Sequence, residues 1–161
     1  MTRKKEIAMT SRPMVFLICF LGLFASDKSR SEVLTDDAAV ALIDSNGHAE
    51  IPENYTSIDI RAFDGAQTLR SVTIPDSITK IGEYAFSNTP YLTSIVIPSS
   101  VTAIYDGTFS GSGIKSIKIP SSVTYVGWNN FSLGINNCDI LESVEIGMSE
   151  IPNEIFTDCT N

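Results

Sequence analysis

The chain has 161 residues, of which 43% are hydrophobic, so it is long enough to form one domain with a hydrophobic core. Nineteen acidic residues against eleven Lys and Arg give a formal net charge of −8. This balance argues against nucleic acid or an anionic membrane as the main partner, because both attract basic surfaces.

Residues 1–25 have the pattern of a secretory signal peptide. Basic residues, among them Lys4 and Lys5, precede an apolar run over residues 14–25, and the chain turns polar at Ser26. The run is shorter than the ~17 residues that a membrane-spanning helix needs. The sequence therefore predicts a secreted or cell-surface protein with no membrane span after signal removal. We interpret residues 26–44 as a linker and N-terminal cap.

A repeat of about 23 residues organises the chain from residue 45 to residue 161. Gap-free alignment of the segments places four isoleucines in register, each followed by proline: Ile51, Ile74, Ile97 and Ile119. Twelve residues after each isoleucine lies a phenylalanine: Phe63, Phe86, Phe109 and Phe131. A fifth, degenerate unit keeps Ile146, Ile151 and Phe156. A unit this short cannot bury its apolar side alone, so the pattern predicts about five stacked units, the last one truncated.

Each unit contains the string Leu-x-x-Val/Ile-x-Ile, which predicts a short strand with one buried face that ends at the proline. A second short extended piece is predicted around Ile81 and Ile104, and the segment before Phe86 has room for one helical turn. The predicted fold is an α/β repeat solenoid of short parallel strands, turns and single helical turns, with phenylalanine stacked on phenylalanine.

This pattern resembles the BspA-like leucine-rich repeat family, whose unit reads approximately L-x-x-I-x-I-P-x-S-V-T-x-I-G-x-x-A-F-x-x-C. Residues 69–86 and 92–109 match it almost throughout, although Tyr105 stands where glycine is expected. The resemblance extends over roughly residues 46–159. It implies a leucine-rich-repeat solenoid, and many family members are secreted or surface-exposed and are thought to bind proteins or host surfaces. The implied function is a non-catalytic extracellular module for protein binding, adhesion or recognition.

Catalytic patterns are weak. The only histidine, His48, lies beside a turn predicted at Asn46-Gly47, whereas a Ser/His/Asp arrangement needs three groups in one cleft. We therefore interpret His48 as a solvated turn residue, and we predict neither a metal site nor a cofactor. The alternative function is a carbohydrate-active enzyme that uses paired carboxylates of the acidic C-terminal face, although such a run is more often a solvated surface. Its acidic residues are Asp139, Glu142, Glu145, Glu150, Glu154 and Asp158.

Two cysteines and two sequons raise the question of covalent modification. Cys138 and Cys159 occupy equivalent positions of neighbouring repeats, where strand spacing permits a disulfide but parallel side-chain directions favour free thiols. Asn54 heads a glycosylation sequon in the polar loop after a proline, so we expect it to be accessible. Asn130 heads a second sequon beside Phe131, a core position that disfavours modification.

Aromatic side chains are the best candidates for partner binding. The outward strand positions are mostly small residues with too little area for a standard interface. Between the second extended piece and the phenylalanine turn, the units carry Tyr84, Tyr105, Tyr125 and Trp128, and tyrosine and tryptophan are enriched in binding hot spots. The hypothesis is a protein-binding ridge along this side, extended by Lys118 and Glu145 at the sheet edge. The alternative is that these rings only cover the core.

The repeat array reaches Asn161 without the polar cap that normally ends a solenoid. This indicates either a truncated gene product or end-to-end self-association. The sequence does not identify the protein partner.

Overall fold

The computed structural model describes residues 32–128, residue 130 and residues 142–148. The predicted signal segment, Cys138, Cys159, Phe131, Phe156 and the C-terminal carboxylates other than Glu142 and Glu145 lie outside these residues. No helix in the described ranges has the length and apolar character needed to cross a membrane.

The described chain alternates between two series of short strands. Its elements are β1 (Glu32–Leu34), α1 (Asp36–Ala41), β2 (His48–Glu50), β3 (Tyr55–Ile58), β4 (Ser71–Thr73), β5 (Lys80–Ile81), β6 (Ser94–Val96), β7 (Ala103–Ile104), β8 (Ser116–Ile119), β9 (Tyr125–Val126) and β10 (Ser143–Ile146). Strands β1, β3, β5, β7 and β9 form a five-stranded parallel sheet in that order. The alternate strands form a two-stranded sheet, β2-β4, and a three-stranded sheet, β6-β8-β10.

The predicted period is confirmed as the register of these sheets. Lys80 pairs with Ala103 and Ala103 with Tyr125, so each strand lies beside the same part of the next repeat. Strands β4, β6 and β8 overlap the predicted Val/Ile-x-Ile strings, and the outward residues of β4 and β6 are exposed while their central residues are buried. Because the side-chain period of a strand is two, this register fixes which face is buried.

A phenylalanine stack occupies the centre of the solenoid. Phe63 and Phe86 have ring centroids 5.1 Å apart, and Phe86 and Phe109 have centroids 6.0 Å apart, each pair within 8° of parallel. The three rings are at most 1% exposed. Buried isoleucines from both strand series surround them, among them Ile58, Ile81 and Ile104. The predicted stacking of identical residues is thereby confirmed for the described repeats.

The segments that carry the phenylalanines form turns, not the expected helical turn. The N–H groups of Tyr84 and Phe86 donate to Asp106 and Thr108 of the next repeat, whereas those of Ala85 and Ser87 close tight turns within their own repeat. This alternation leaves no continuous helical bonding. Tyr84 itself has a φ of 53°, in the left-handed region.

The N-terminal segment packs on the first repeat. Strand β1 pairs with β3, and Leu34 and Ala39 are fully buried in the core. An antiparallel bridge between Ile43 and Ala49 confirms the predicted turn at Asn46-Gly47. The N–H of Gly47 donates to the carbonyl of Asp44 at 3.0 Å, which closes this turn.

Candidate partner-binding surface

Three aromatic side chains lie near the last described strand of the five-stranded sheet. The rings of Tyr105 and Tyr125 contact each other, with centroids 5.4 Å apart and planes 51° from parallel. Tyr125 is 48% exposed and Trp128 is 62% exposed. The backbone of Trp128 is fixed, because its N–H donates to Oδ1 of Asp106 at 3.0 Å and its carbonyl accepts from Gly107 at 2.8 Å. These residues present large aromatic area from an ordered backbone.

Tyr84 is held differently from the other three aromatic residues. The guanidinium of Arg61 lies over its ring, 5.3 Å from the centroid. A Cβ added at Gly107 would collide with the ring, so Tyr84 lies against the backbone of the next repeat. Its side chain is half-buried. Tyr84 thus matches the alternative reading, in which an aromatic ring packs on the solenoid.

Lys118 and Glu145 lie on a different sheet from the aromatic residues. They face each other across β8 and β10, with Nζ and Oε1 2.5 Å apart and both side chains more than two-thirds exposed. The pair lies on the three-stranded sheet, whereas Tyr125 lies on the five-stranded sheet, and its part in partner binding stays a prediction. An exposed ion pair of this kind stabilises the fold by only about 0.2–1 kcal/mol.

The two described carboxylates of the acidic C-terminal stretch are both paired with lysines. Glu142 lies 3.6 Å from Lys115 Nζ, and Glu145 pairs with Lys118. All four side chains are exposed, which fits a solvated face. Among the described residues, no group of three or more His, Cys, Asp or Glu side chains is placed to hold a metal.

His48 is a strand residue and not the solvated turn residue that was expected. Its Nδ1 is hydrogen-bonded to Ser71 Oγ at 2.8 Å, and its Nε2 lies 3.3 Å from Thr73 Oγ1. Asp44 does not orient the imidazole, because its Oδ1 accepts the backbone N–H groups of Asn46 and His48. Serine, histidine and aspartate therefore lie close together without forming a catalytic relay.

The carboxylate of Asp44 makes the turn sensitive to pH. Backbone N–H groups of His48 and Asn46 donate to it and lower its pKa below the ordinary value of 3.8. Because the folded-state pKa is depressed, the stabilisation is present above the unfolded-state pKa and is lost as pH falls through the folded-state pKa. We expect Asp44→Ala to lower the thermal midpoint at about pH 7 and to have a smaller effect below about pH 3. An equal difference from wild type at both pH values would contradict this account.

The two sequons differ in accessibility. Asn54 is exposed, and its Nδ2 donates to Glu32 Oε2 at 2.5 Å. Asn130 is fully buried, and its Nδ2 donates to the carbonyl of Gly127 at 2.8 Å. Burial of Asn130 agrees with its expected place beside the core, while glycosylation of Asn54 stays a prediction.

A groove on the five-stranded sheet escaped the sequence analysis. It has a volume of about 290 Å³, and its lining includes Asp59, Gly82 and Tyr105. These three residues occupy the same position of successive repeats, so the groove is lined at this level by an acid, a glycine and an aromatic ring. The sequence signal that could have found the groove is the change from acid to glycine to aromatic residue at one position of the aligned repeats.

Comparison with known proteins agrees with this architecture. Residues 44–161 match the BspA type leucine rich repeat region, in six copies against the five units expected. The chain belongs to this family. As a BspA-type repeat protein, it owes its parallel strands and stacked core to the repeat unit, which explains why the described strands pair with one another in parallel.

Solved leucine-rich repeat proteins of bacteria are similar to this BspA-type chain. One from Bacteroides ovatus is 33% identical with a TM-score of 0.55, over 61% of this chain and 24% of that protein. One from Bacteroides capillosus is 25% identical with a TM-score of 0.55, over 64% of this chain and 78% of that protein. The chain thus spans about a quarter of the B. ovatus protein. No curated protein matches the chain significantly.

Proposed function

We propose that this BspA-type chain is a non-catalytic protein-binding module that acts in adhesion or recognition, secreted or at the cell surface. The observation that carries the proposal is the exposure of Tyr125 and Trp128 on a solenoid whose backbone is bonded from repeat to repeat. Aromatic residues contribute large contact area with few rotatable bonds, so an ordered backbone reduces the entropy lost on binding.

The extracellular part of the proposal is supported by the sequence. Residues 1–25 combine basic residues with a short apolar run, as secretory signals do. The abundance of Ser and Thr on the outward strand positions, such as Ser71, Thr73 and Ser94, suits a surface that is solvated when no partner is bound.

A protein partner accounts for the surface better than a small substrate does. Tyr125 and Trp128 stand on an outer face near the edge of the described sheet, and binding hot spots in protein interfaces are enriched in these residue types. The described carboxylates are both ion-paired with lysines: Glu145 lies on another sheet, and Glu142 directly precedes its strand β10. The geometry therefore favours recognition over glycoside chemistry.

Substitution of the exposed aromatic residues tests this function. A partner captured by the full chain and identified by mass spectrometry is titrated against wild type, Tyr125→Ala and Trp128→Ala. We expect each variant to bind about tenfold or more weakly, as hot-spot residues do when truncated.

The matched control is Val96→Ala, which removes an 80% exposed apolar side chain from the other sheet. It should leave the affinity unchanged. Unaltered affinity in folded Tyr125 and Trp128 variants would remove this surface as the binding site.

A further inference from the structure

The groove over Gly82 combines an aromatic wall, apolar residues and charged side chains. Tyr105 lines it together with Val33 and Ile60, which are 46% and 55% exposed. Asp59, Glu83 and Lys80 contribute the charged groups of its lining. Gly82 contributes backbone alone to the lining, because a Cβ there would collide with the backbone of Asp59 and Ile60 in the previous repeat.

The carboxylates of the groove are not satisfied by cations of the chain. In the described part of the protein, ion pairs join Arg61 to Asp64 and two lysines to Glu142 and Glu145, but none involves Asp59, Glu83 or Lys80. Oδ1 of Asp59 accepts the N–H of Ile60 at 2.8 Å, which orients this carboxylate. Two carboxylates without a cationic partner thus line the same groove as a tyrosine ring.

The two repeats that carry Asp59 and Glu83 also show which group such a combination accommodates. Arg61 places its guanidinium 5.3 Å from the centroid of Tyr84 and its Nη1 3.3 Å from Oδ2 of Asp64. One arginine therefore lies between a tyrosine face and a carboxylate on the surface of this solenoid. Arg70 repeats the stacking part of the arrangement over Tyr91, at 5.3 Å.

We infer that the groove over Gly82 receives an arginine side chain of the protein partner, which binds the carboxylates of Asp59 and Glu83 and stacks on Tyr105. The inference rests on the proposed function, since it assumes that the partner is a protein. A planar guanidinium suits this lining better than an ammonium, because it stacks on rings and binds carboxylates through several donors. The methylene stem of arginine suits Val33 and Ile60.

Charge supports this occupant at two scales. The net charge of −8 attracts basic partners at long range. Within the groove, two carboxylates outnumber the single ammonium of Lys80. Lys80 repels a second cation, so the groove suits one arginine and not a continuous basic run.

Titration of the full ¹⁵N-labelled chain with N-acetylarginine methylamide tests the inference. We expect backbone amide shifts at Asp59, Ile60, Gly82 and Glu83, and no comparable shifts with the citrulline analogue, which keeps the shape but not the charge. The double variant Asp59→Asn/Glu83→Gln should weaken binding about fivefold or more. Lys80→Gln should strengthen binding, about twofold, because it removes a like charge.

The matched control is Glu50→Gln/Glu53→Gln, which removes the same charge from a different groove. Equal weakening by the two double variants, or equal shifts with citrulline, would overturn the inference, because either result indicates unspecific attraction. A failure of the proposed function is distinguishable from a failure of the arginine site. If the proposed function is wrong, the captured partner binds the Tyr125→Ala and Trp128→Ala variants with unchanged affinity. A captured partner that needs Trp128 but binds the Asp59/Glu83 variant normally would overturn only the arginine site.

Discussion

Replacement of Phe86 by alanine is expected to lower the free energy of unfolding by about 3–5 kcal/mol. Phe86 is fully buried between Phe63 and Phe109, so truncation leaves a cavity and removes ring contacts on both sides. A repeat protein contacts only its neighbours, so a defect in the middle of the stack also weakens the coupling between its two halves. Urea denaturation followed by circular dichroism measures the change.

Two variants make this result specific to stacking. Phe86→Leu fills part of the cavity and should be less destabilising than Phe86→Ala. Tyr91→Ala removes an aromatic ring that is 53% exposed and contacts Arg70, so it should cost less than about 1 kcal/mol. Denaturation of Phe86→Ala that overlays wild type would contradict the stacked core.

The strands and the core were predictable because each residue meets its equivalent in the next repeat. Once Ile51, Ile74 and Ile97 are aligned, the alternation around them determines which side chains enter the core. The outward positions Ser71 and Ser94 follow from the same alternation. Nothing beyond the period and the strand geometry was needed.

The turn conformation was not predictable from residue spacing alone. Arg61 and Tyr84 adopt positive φ at the position where the next repeat has Gly107, and Asn88 does so at the position of Gly65 and Gly111. The shared position of asparagine and glycine is a sequence signal for left-handed backbone. Arginine and tyrosine give no such signal by themselves, and the glycine at their position, Gly107, is a signal only after the repeats are aligned.

The candidate surface was predictable only in part. Tyr84, Tyr105, Tyr125 and Trp128 occupy four different positions of the repeat, so the period does not stack them on one another. Which residues they contact depends on the direction of each side chain. Tyr105 contacts Tyr125, whereas Tyr84 contacts Arg61. Lys118 and Glu145 lie in the other strand series from Tyr125, and this assignment to different sheets follows from the aligned repeats.

Substitution of Gly47 by alanine is expected to destabilise the protein by about 2–5 kcal/mol. Gly47 is buried with a φ of 81°, and its carbonyl accepts the N–H groups of Arg70 at 2.7 Å and Ser71 at 3.3 Å. An added Cβ would collide with the carbonyl oxygen of Thr68, which is backbone and cannot rotate away. The variant must therefore strain the turn and displace the hairpin from the next repeat. Chemical denaturation measures the total loss of unfolding free energy from the two effects.

Gly65→Ala separates the two causes of this effect. Gly65 has a similar φ of 71°, but a Cβ there would meet no atom within 4 Å. This variant should therefore show the backbone strain alone, about 1–2 kcal/mol. The difference between the two losses of unfolding free energy measures the cost of the collision. Hydrogen exchange gives a second test: the Arg70 amide donates to the Gly47 carbonyl, so it should exchange faster in Gly47→Ala and not in Gly65→Ala. Equal destabilisation by both substitutions would mean that the turn at Gly47 can shift away from Thr68 without a loss of stability. Such a result would contradict the close packing of this turn on the next repeat.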